Sequence, residues 1–161
     1  MLMEKHSSFK VYKSIMETYG IIFIAIVVSI VAASLYVSNM GSIFEPETNA
    51  AFFMQLAAIA VTLAFIPVGY IFSQRMIKNI EPALSVYEKL LHYQKALKLR
   101  FTSMLATAFL VSFFFFLTAN TNLMIILAIV LLFYLINKPN PFKTTDDLNL
   151  SPEDKQKLMG K

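Results

Sequence analysis

Four long runs of uncharged residues alternate with short polar segments along the chain. The runs cover residues 18–39, 50–74, 101–119 and 122–137, and none of them contains Asp, Glu, Lys, Arg or His. A hydrocarbon core about 30 Å thick needs roughly 20 apolar residues of helix at about 1.5 Å per residue. The first two runs satisfy this length and the last two are short, so the pattern predicts four transmembrane helices. The first run is too long for the apolar part of a signal peptide and is expected to remain as a span.

The charged residues assign a direction to these predicted spans. All fourteen Lys and Arg residues lie before the first run, between the second and third runs, or after the fourth. The turn at 41–49 carries only Glu45 and Glu47, and the turn at 118–122 is neutral. Because basic residues near span ends are biased to the cytoplasm, both termini and the middle segment are predicted to be cytoplasmic. Loop charge of this kind explains the net charge of +4 without a nucleic-acid partner.

The predicted fold class is all-α: one integral membrane domain over residues 1–161, built as a four-helix bundle of two helical hairpins. Between spans two and three, residues of about 81–100 carry apolar positions at helical spacing, including Leu84, Tyr87 and Leu91 after Pro82. This pattern predicts a cytoplasmic amphipathic helix, which either lies at the interface or runs unbroken into span three. Its apolar face would contact lipid or a partner subunit.

The segment after span four is predicted to be a cytoplasmic tail, residues 138–161. Pro139 and Pro141 are expected to end the fourth span, followed by an acidic turn at Asp146 and Asp147. Ser151 followed by Pro152 then favours the start of a short final helix.

Small residues recur at helical spacing in the first two spans and mark candidate helix contacts. Such stripes let two helices approach closely, since packing rather than hydrophobicity drives association within lipid. The contact is either intramolecular or between two chains. Pro67 lies in the second span and predicts a kink there. The helix-contact candidates are Ala25, Ser29 and Ala33 in the first span, and Ala57, Ala60 and Ala64 in the second.

Polar chemistry within the predicted spans is sparse. The chain has no Cys, and its two histidines, His6 and His92, lie in cytoplasmic segments without a ligand cluster, so no metal site, cofactor or catalytic residue is predicted. No nucleotide-binding or hydrolase motif is present, and no span carries an ionisable side chain of the kind that ion-coupled transporters use. Neutral polar residues remain as candidates for interhelical hydrogen bonds or for a pore lining: Gln55, Thr62, Ser103, Thr107 and Ser112.

The stretch from Tyr93 to Leu158 resembles small uncharacterised bacterial four-span inner-membrane proteins, whose members are often labelled as major-facilitator transporters. The resemblance lies in Tyr93, Ala96, Leu97 and Arg100 at the entry to span three, the short turn with Asn120 and Asn122, the Lys-Pro exit and the Leu-x-Leu-Ser-Pro-Glu-Asp tail. It implies a location in the bacterial cytoplasmic (inner) membrane and supplies no catalytic residue.

Two hypotheses about function follow. The first is a non-enzymatic structural or accessory subunit of a cytoplasmic-membrane assembly, in contact with the lipid bilayer and with a membrane-protein partner or a second copy of itself. The alternative is a small homo-oligomeric channel or transporter, with a pore lined by the neutral polar residues of the spans.

Overall fold

All regular secondary structure in the described part of the chain is helical, which confirms the predicted all-α class. The computed structural model describes residues 2–45, 47–151 and 154, and the side chains from Ser7 onward. The helices in these ranges are α1 (Leu2–Met40), α2 (Asn49–Lys78), α3 (Val86–Thr118), α4 (Thr121–Ile136) and α5 (Pro141–Asp147).

The chain divides into two compact units. The first, named here the basic unit, comprises Met1–Ile21, Gly69–Phe101 and Lys138–Lys161. The second, named the apolar unit, comprises Ile22–Val68 and Thr102–Asn137. Every Lys and Arg that the structure describes belongs to the basic unit, whereas Glu45 and Glu47 are the charged residues of the apolar unit. The boundary between the two units therefore follows the boundary between charged and uncharged sequence.

Among the described residues, three helices are long and apolar enough to cross a membrane: Ser7–Met40 of α1, all of α2 and all of α3. The 16 residues of α4 rise only about 24 Å, less than a hydrocarbon core of about 30 Å. This helix counts as a fourth candidate only when α4 and α5 are taken together as one bent span. Three apolar helices of this length indicate a membrane protein, and the fourth span remains a prediction.

Burial differs among the candidate spans. In the most apolar segment of α3, 44% of the residues are buried, against 17% in α1 and in α2. Large side chains such as Leu63 on α2 (70% exposed) and Ile21 on α1 (67% exposed) face outward. Soluble monomers rarely expose contiguous apolar surface of this extent, so the outer faces of α1 and α2 are suited to contact with lipid or with another protein.

The helix ends follow from local sequence. Gly41 has a φ of +79°, and its N–H donates to the carbonyl of Val37 at 3.0 Å, which closes the end of α1 in the left-handed conformation that glycine adopts readily. The side chain of Asn120 accepts a hydrogen bond from the N–H of Asn122 at 3.0 Å and caps the start of α4. Helix α2 continues through Pro67. The predicted kink at this residue stays a prediction.

The segment between spans two and three is the first part of α3, which runs without a break from Val86 to Thr118. This is the unbroken alternative, and the start lies later than the expected position near Glu81. A turn precedes it, in which the N–H of Leu84 donates to the carbonyl of Glu81 at 3.3 Å. Ser85 and Glu88 then form a capping box, with each backbone N–H donating to the other side chain, at 3.1 and 3.3 Å. A contact of this segment with the membrane interface remains a prediction.

Helix α5 lies in the predicted tail, between the proline expected to end the fourth span and the expected acidic turn. Asn140 accepts a hydrogen bond from the N–H of Lys143 at 2.7 Å, and Pro141 occupies the first helical position. The expected acidic turn at Asp146 and Asp147 is thus the end of a helix. Pro152, Glu153 and the rest of the predicted final helix, apart from Asp154, lie outside the described residues.

Candidate functional site

A buried arginine in the basic unit is the most unusual side chain of the described structure. Arg100 lies on α3 and is fully buried. It shares a buried face with Tyr93, Ala96, Leu97 and Met104, at the spacing that places residues on one side of a helix. Burying a charge is costly unless polar or charged groups surround it, so the surroundings of Arg100 decide what this site does.

Helix α2 supplies two partners for Arg100. The Nε–H of Arg100 donates to the Oγ of Ser73 at 3.0 Å. The guanidinium carbon lies 4.4 Å from the centroid of the Tyr70 ring, within the range of a cation–π interaction. Tyr70 and Ser73 are three residues apart and therefore lie on the same face of α2. Together they hold the planar guanidinium against the end of this helix.

Helix α5 contributes the carboxylate of Asp147. The hydroxyl of Tyr93 donates to Oδ2 of Asp147 at 2.9 Å, and the negative charge of Asp147 attracts Arg100. The five side chains Tyr70, Ser73, Tyr93, Arg100 and Asp147, named here the arginine cluster, thus join α2, α3 and α5. The start of α1 is joined to α3 separately, by a hydrogen bond of 3.0 Å from Gln94 to Ser14.

The chemistry of the arginine cluster is that of a structural network. The Ser73 hydroxyl accepts from the guanidinium, and the Tyr93 hydroxyl donates to the Asp147 carboxylate. A guanidinium donates hydrogen bonds and accepts none, so Arg100 cannot serve Ser73 as the general base that covalent catalysis needs. Within the described residues, no group of three or more His, Asp or Glu side chains could hold a metal ion. His92 lines an open cavity of about 440 Å³ with Glu81 and Asn79, and His6 lies among residues whose side chains are not described.

A second cavity of the basic unit, of about 370 Å³, lies beside the arginine cluster. It shares Asp147 with that cluster and is lined by two lysines, Lys78 at the end of α2 and Lys89 in the first turn of α3. Its remaining walls are apolar except for Asn149, which has a φ of +48°. This cavity, named here the lysine cavity, combines positive charge with apolar surface.

In the apolar unit, Ser29 and Ala33 of the predicted α1 stripe line a groove of about 360 Å³ that is shared with α3 and is named here the serine groove. The Oγ of Ser29 donates to the carbonyl of Ile26 at 2.8 Å and lies 3.4 Å from the Oγ of Ser112. Ala33 is buried beside these two serines. Ala25 lies one turn before Ser29 on the same face of α1 and is half-buried. The groove walls are aromatic: Tyr36, Phe109, Phe113 and Phe116.

The stripe of α2 has a different environment. Ala60 and Ala64 are exposed and Ala57 is half-buried, whereas Ala51 and Ala58 are fully buried. The predicted α2 stripe therefore faces largely away from the other helices of the apolar unit. Its role as a helix contact stays a prediction, since an exposed stripe would need a partner outside this chain.

The predicted polar span residues form hydrogen bonds within their own helices or to other helices and turns of the apolar unit. The Oε1 of Gln55 accepts from Asn120 at 3.0 Å and from Asn122 at 3.4 Å, which ties α2 to the turn between α3 and α4. The hydroxyl of Thr62 donates to the carbonyl of Ala58 at 2.8 Å, within its own helix. In α3, the hydroxyl of Thr107 donates to the carbonyl of Ser103 at 2.9 Å, and Thr107 and Ser112 are both buried. The structure does not bring these five residues together into one surface.

The arginine cluster is not apparent from the sequence pattern. Arg100 was grouped with the loop charges because it directly precedes the uncharged run of span three. One signal was available, since Arg100 lies seven residues after Tyr93, with Ala96 and Leu97 between them, on the apolar face of the helix. Its partners on α2 and α5 are distant in sequence and follow no spacing rule.

Comparisons of the chain with protein-family models, with curated proteins and with solved structures gave no match. The resemblance of residues 93–158 to small bacterial inner-membrane proteins therefore remains a prediction from the sequence.

Proposed function

We propose that the protein is a non-enzymatic structural or accessory subunit of a protein assembly in the bacterial cytoplasmic membrane. The observation that carries the proposal is the serine groove, which is open on the apolar unit and is built from small and aromatic side chains. Helix partners within a membrane are held by close packing at small residues and by interhelical hydrogen bonds. Ala32 and Ala33 supply the small residues, and the hydroxyls of Ser29 and Ser112 supply the polar contact.

The occupant of the serine groove in this proposal is a transmembrane helix of a different membrane protein. A helix with a small or hydroxyl-bearing residue at the depth of Ser29 would approach closely enough to bond with one of the two hydroxyls. The exposed outer faces of α1 and α2 support the same reading, because most of their apolar surface is not covered by this chain.

The placement of charge supports a four-span topology with both termini in the cytoplasm. The described basic residues belong to one unit, and the apolar unit carries only two acidic residues outside its uncharged helices. Because basic residues near span ends are biased to the cytoplasm, this distribution supports a cytoplasmic location for the segments of the basic unit.

The channel alternative is less well supported. Thr107 and Ser112 are buried within the apolar unit, and Gln55 is bonded to the turn between α3 and α4. Lining a pore between chains would require these side chains to exchange their present hydrogen bonds for contacts with water.

The decisive experiment is affinity purification of the tagged full-length chain from native membranes after gentle solubilisation. We expect a stoichiometric membrane-protein partner with the wild-type chain and its loss with Ser29→Leu, which fills the groove. Val31→Leu adds apolar volume on an exposed position of the same helix and is expected to retain the partner. Retention of the partner by both variants would exclude the groove as the contact. A homo-oligomer that conducts solute in liposomes would replace this proposal by the channel alternative.

A further inference from the structure

We propose that the lysine cavity binds the phosphate headgroup of an anionic phospholipid. The proposal depends on the location of the protein in a membrane and is independent of its role as a subunit. It starts from the position of the two lysines: Lys78 is the last residue of α2, and Lys89 lies in the first turn of α3. Both helices are candidate spans. Lys78 lies where α2 leaves its apolar sequence, and Lys89 lies in the charged part of α3 that precedes the uncharged run beginning at residue 101.

The charges around the cavity favour an anion. Neither Lys78 nor Lys89 forms an ion pair with a described residue, and both line the same space. Asp147 also lines it, but its carboxylate accepts the hydrogen bond from Tyr93 and attracts Arg100. Two ammonium groups against one carboxylate leave the cavity with an excess of positive charge.

The apolar part of the cavity distinguishes a lipid from a free phosphate ion. Half of its lining is apolar, and Ile77 and Leu148 are each only 5% exposed, which makes them a closed floor. Inorganic phosphate has no group to place against such a surface, whereas the glycerol and upper acyl carbons of a phospholipid do. The remaining apolar members of the lining are Ile80 and Pro82.

The size and the location agree with this assignment. A volume of about 370 Å³ lies within the range of small-molecule sites, roughly 300–1,000 Å³. Basic pockets between helices at the cytoplasmic side of a membrane are suited to anionic headgroups, because the cytoplasmic leaflet carries their negative charge.

The test compares lipid retention by charge-matched variants of the full-length chain. The purified protein in detergent is titrated with dioleoylphosphatidylglycerol, dioleoylphosphatidylcholine or inorganic phosphate, and bound lipid is counted by native mass spectrometry. Lys78→Gln combined with Lys89→Gln removes both cavity lysines. Lys95→Gln combined with Lys98→Gln removes the same charge from exposed positions of the same helix α3. We expect the cavity variant to retain phosphatidylglycerol about tenfold less well than the wild type, and the control variant to match the wild type.

Three results would overturn the proposal. An equal loss in both double variants would mean a diffuse attraction to anionic lipid without a site. Equal retention in all three proteins would mean that the cavity holds no lipid. Displacement of phosphatidylglycerol by inorganic phosphate at similar concentration would assign the cavity to a free anion.

As a second measurement, the thermal midpoint of the wild type should rise with phosphatidylglycerol and that of the cavity variant should not, because a ligand stabilises only the form that binds it.

Discussion

The hydroxyl of Tyr93 donates a hydrogen bond to the Asp147 carboxylate at 2.9 Å, across 54 residues of sequence. Tyr93 lies on the buried face of α3, and Asp147 is the last residue of α5. This contact fixes α5 to the same network that surrounds Arg100. A helix of seven residues is too short to be stable alone, so α5 depends on contacts of this kind.

We predict that Tyr93→Phe loosens α5. Loss of a hydrogen bond to a charged group should lower the free energy of unfolding by about 1–3 kcal/mol, since the Asp147 carboxylate loses its donor. Limited proteolysis of the solubilised protein should then cut near α5 faster than in the wild type. Tyr87→Phe removes the hydroxyl of an exposed tyrosine on the same helix and serves as the control. Identical cleavage rates in the two variants would show that the Tyr93 hydroxyl does not hold α5.

Arg100→Lys should destabilise the basic unit although the charge is kept. The planar guanidinium donates to Ser73 through Nε and stacks on the ring of Tyr70 at the same time. An ammonium group is not planar and cannot make both contacts, so the buried charge loses part of its stabilisation. We expect a loss of about 1–2 kcal/mol in the free energy of unfolding, measured by titration of the solubilised protein with a denaturing detergent. Lys98→Arg changes an exposed neighbour and should stay within about 0.5 kcal/mol of the wild type. An Arg100→Lys variant with the stability of the wild type would show that the planar shape of the guanidinium is not needed here.

The uncharged runs of the sequence were sufficient to predict the helices that build the apolar unit. The spacing of apolar residues and the absence of charge can both be read from a short stretch of sequence. Because a bilayer offers no hydrogen-bond partner to the backbone, a long apolar run that enters it has few alternatives to a helix. The interpretation of Pro141 as a stop signal leaves helix α5 out of the prediction. Pro141 stands directly after Asn140, and a capping residue followed by proline is also a start signal.

The burial of Arg100 could not be derived in the same way. A lysine or arginine beside an apolar run has the same appearance in the sequence whether it extends into solvent, as Lys98 does, or is buried, as Arg100 is. Arg100 differs from Lys98 because Tyr70, Ser73 and Asp147, which are distant in sequence, lie around it in the folded chain. The Ser29 to Ser112 contact was equally inaccessible, because a stripe of small residues indicates that something packs there without naming the partner.

Gln55→Leu tests the tie between α2 and the turn that starts α4. The variant removes the acceptor for Asn120 and Asn122, and we expect a loss of about 1 kcal/mol in the free energy of unfolding. Thr62→Val removes a hydroxyl that bonds only within its own helix and should cost less than about 0.5 kcal/mol.

In liposomes, neither the wild type nor Gln55→Leu should conduct a solute. A flux in the wild type that Gln55→Leu abolishes would contradict the accessory-subunit proposal, because a packing residue has no part in conduction.

The proposed orientation can be tested by single cysteines, because the natural chain has none. Ser42→Cys and Thr121→Cys place a thiol in the two turns that lack basic residues, and Ala83→Cys and Ser151→Cys place one in the segments that carry them. Thr121 is preferred to Asn120, since Asn120 caps α4 and bonds to Gln55. A membrane-impermeant maleimide applied to intact spheroplasts should label the first two variants, and the last two only after the membrane is permeabilised. Labelling of Ala83→Cys in sealed cells would reverse the orientation, and labelling of Ser42→Cys but not Thr121→Cys would mean that the chain crosses the membrane fewer than four times.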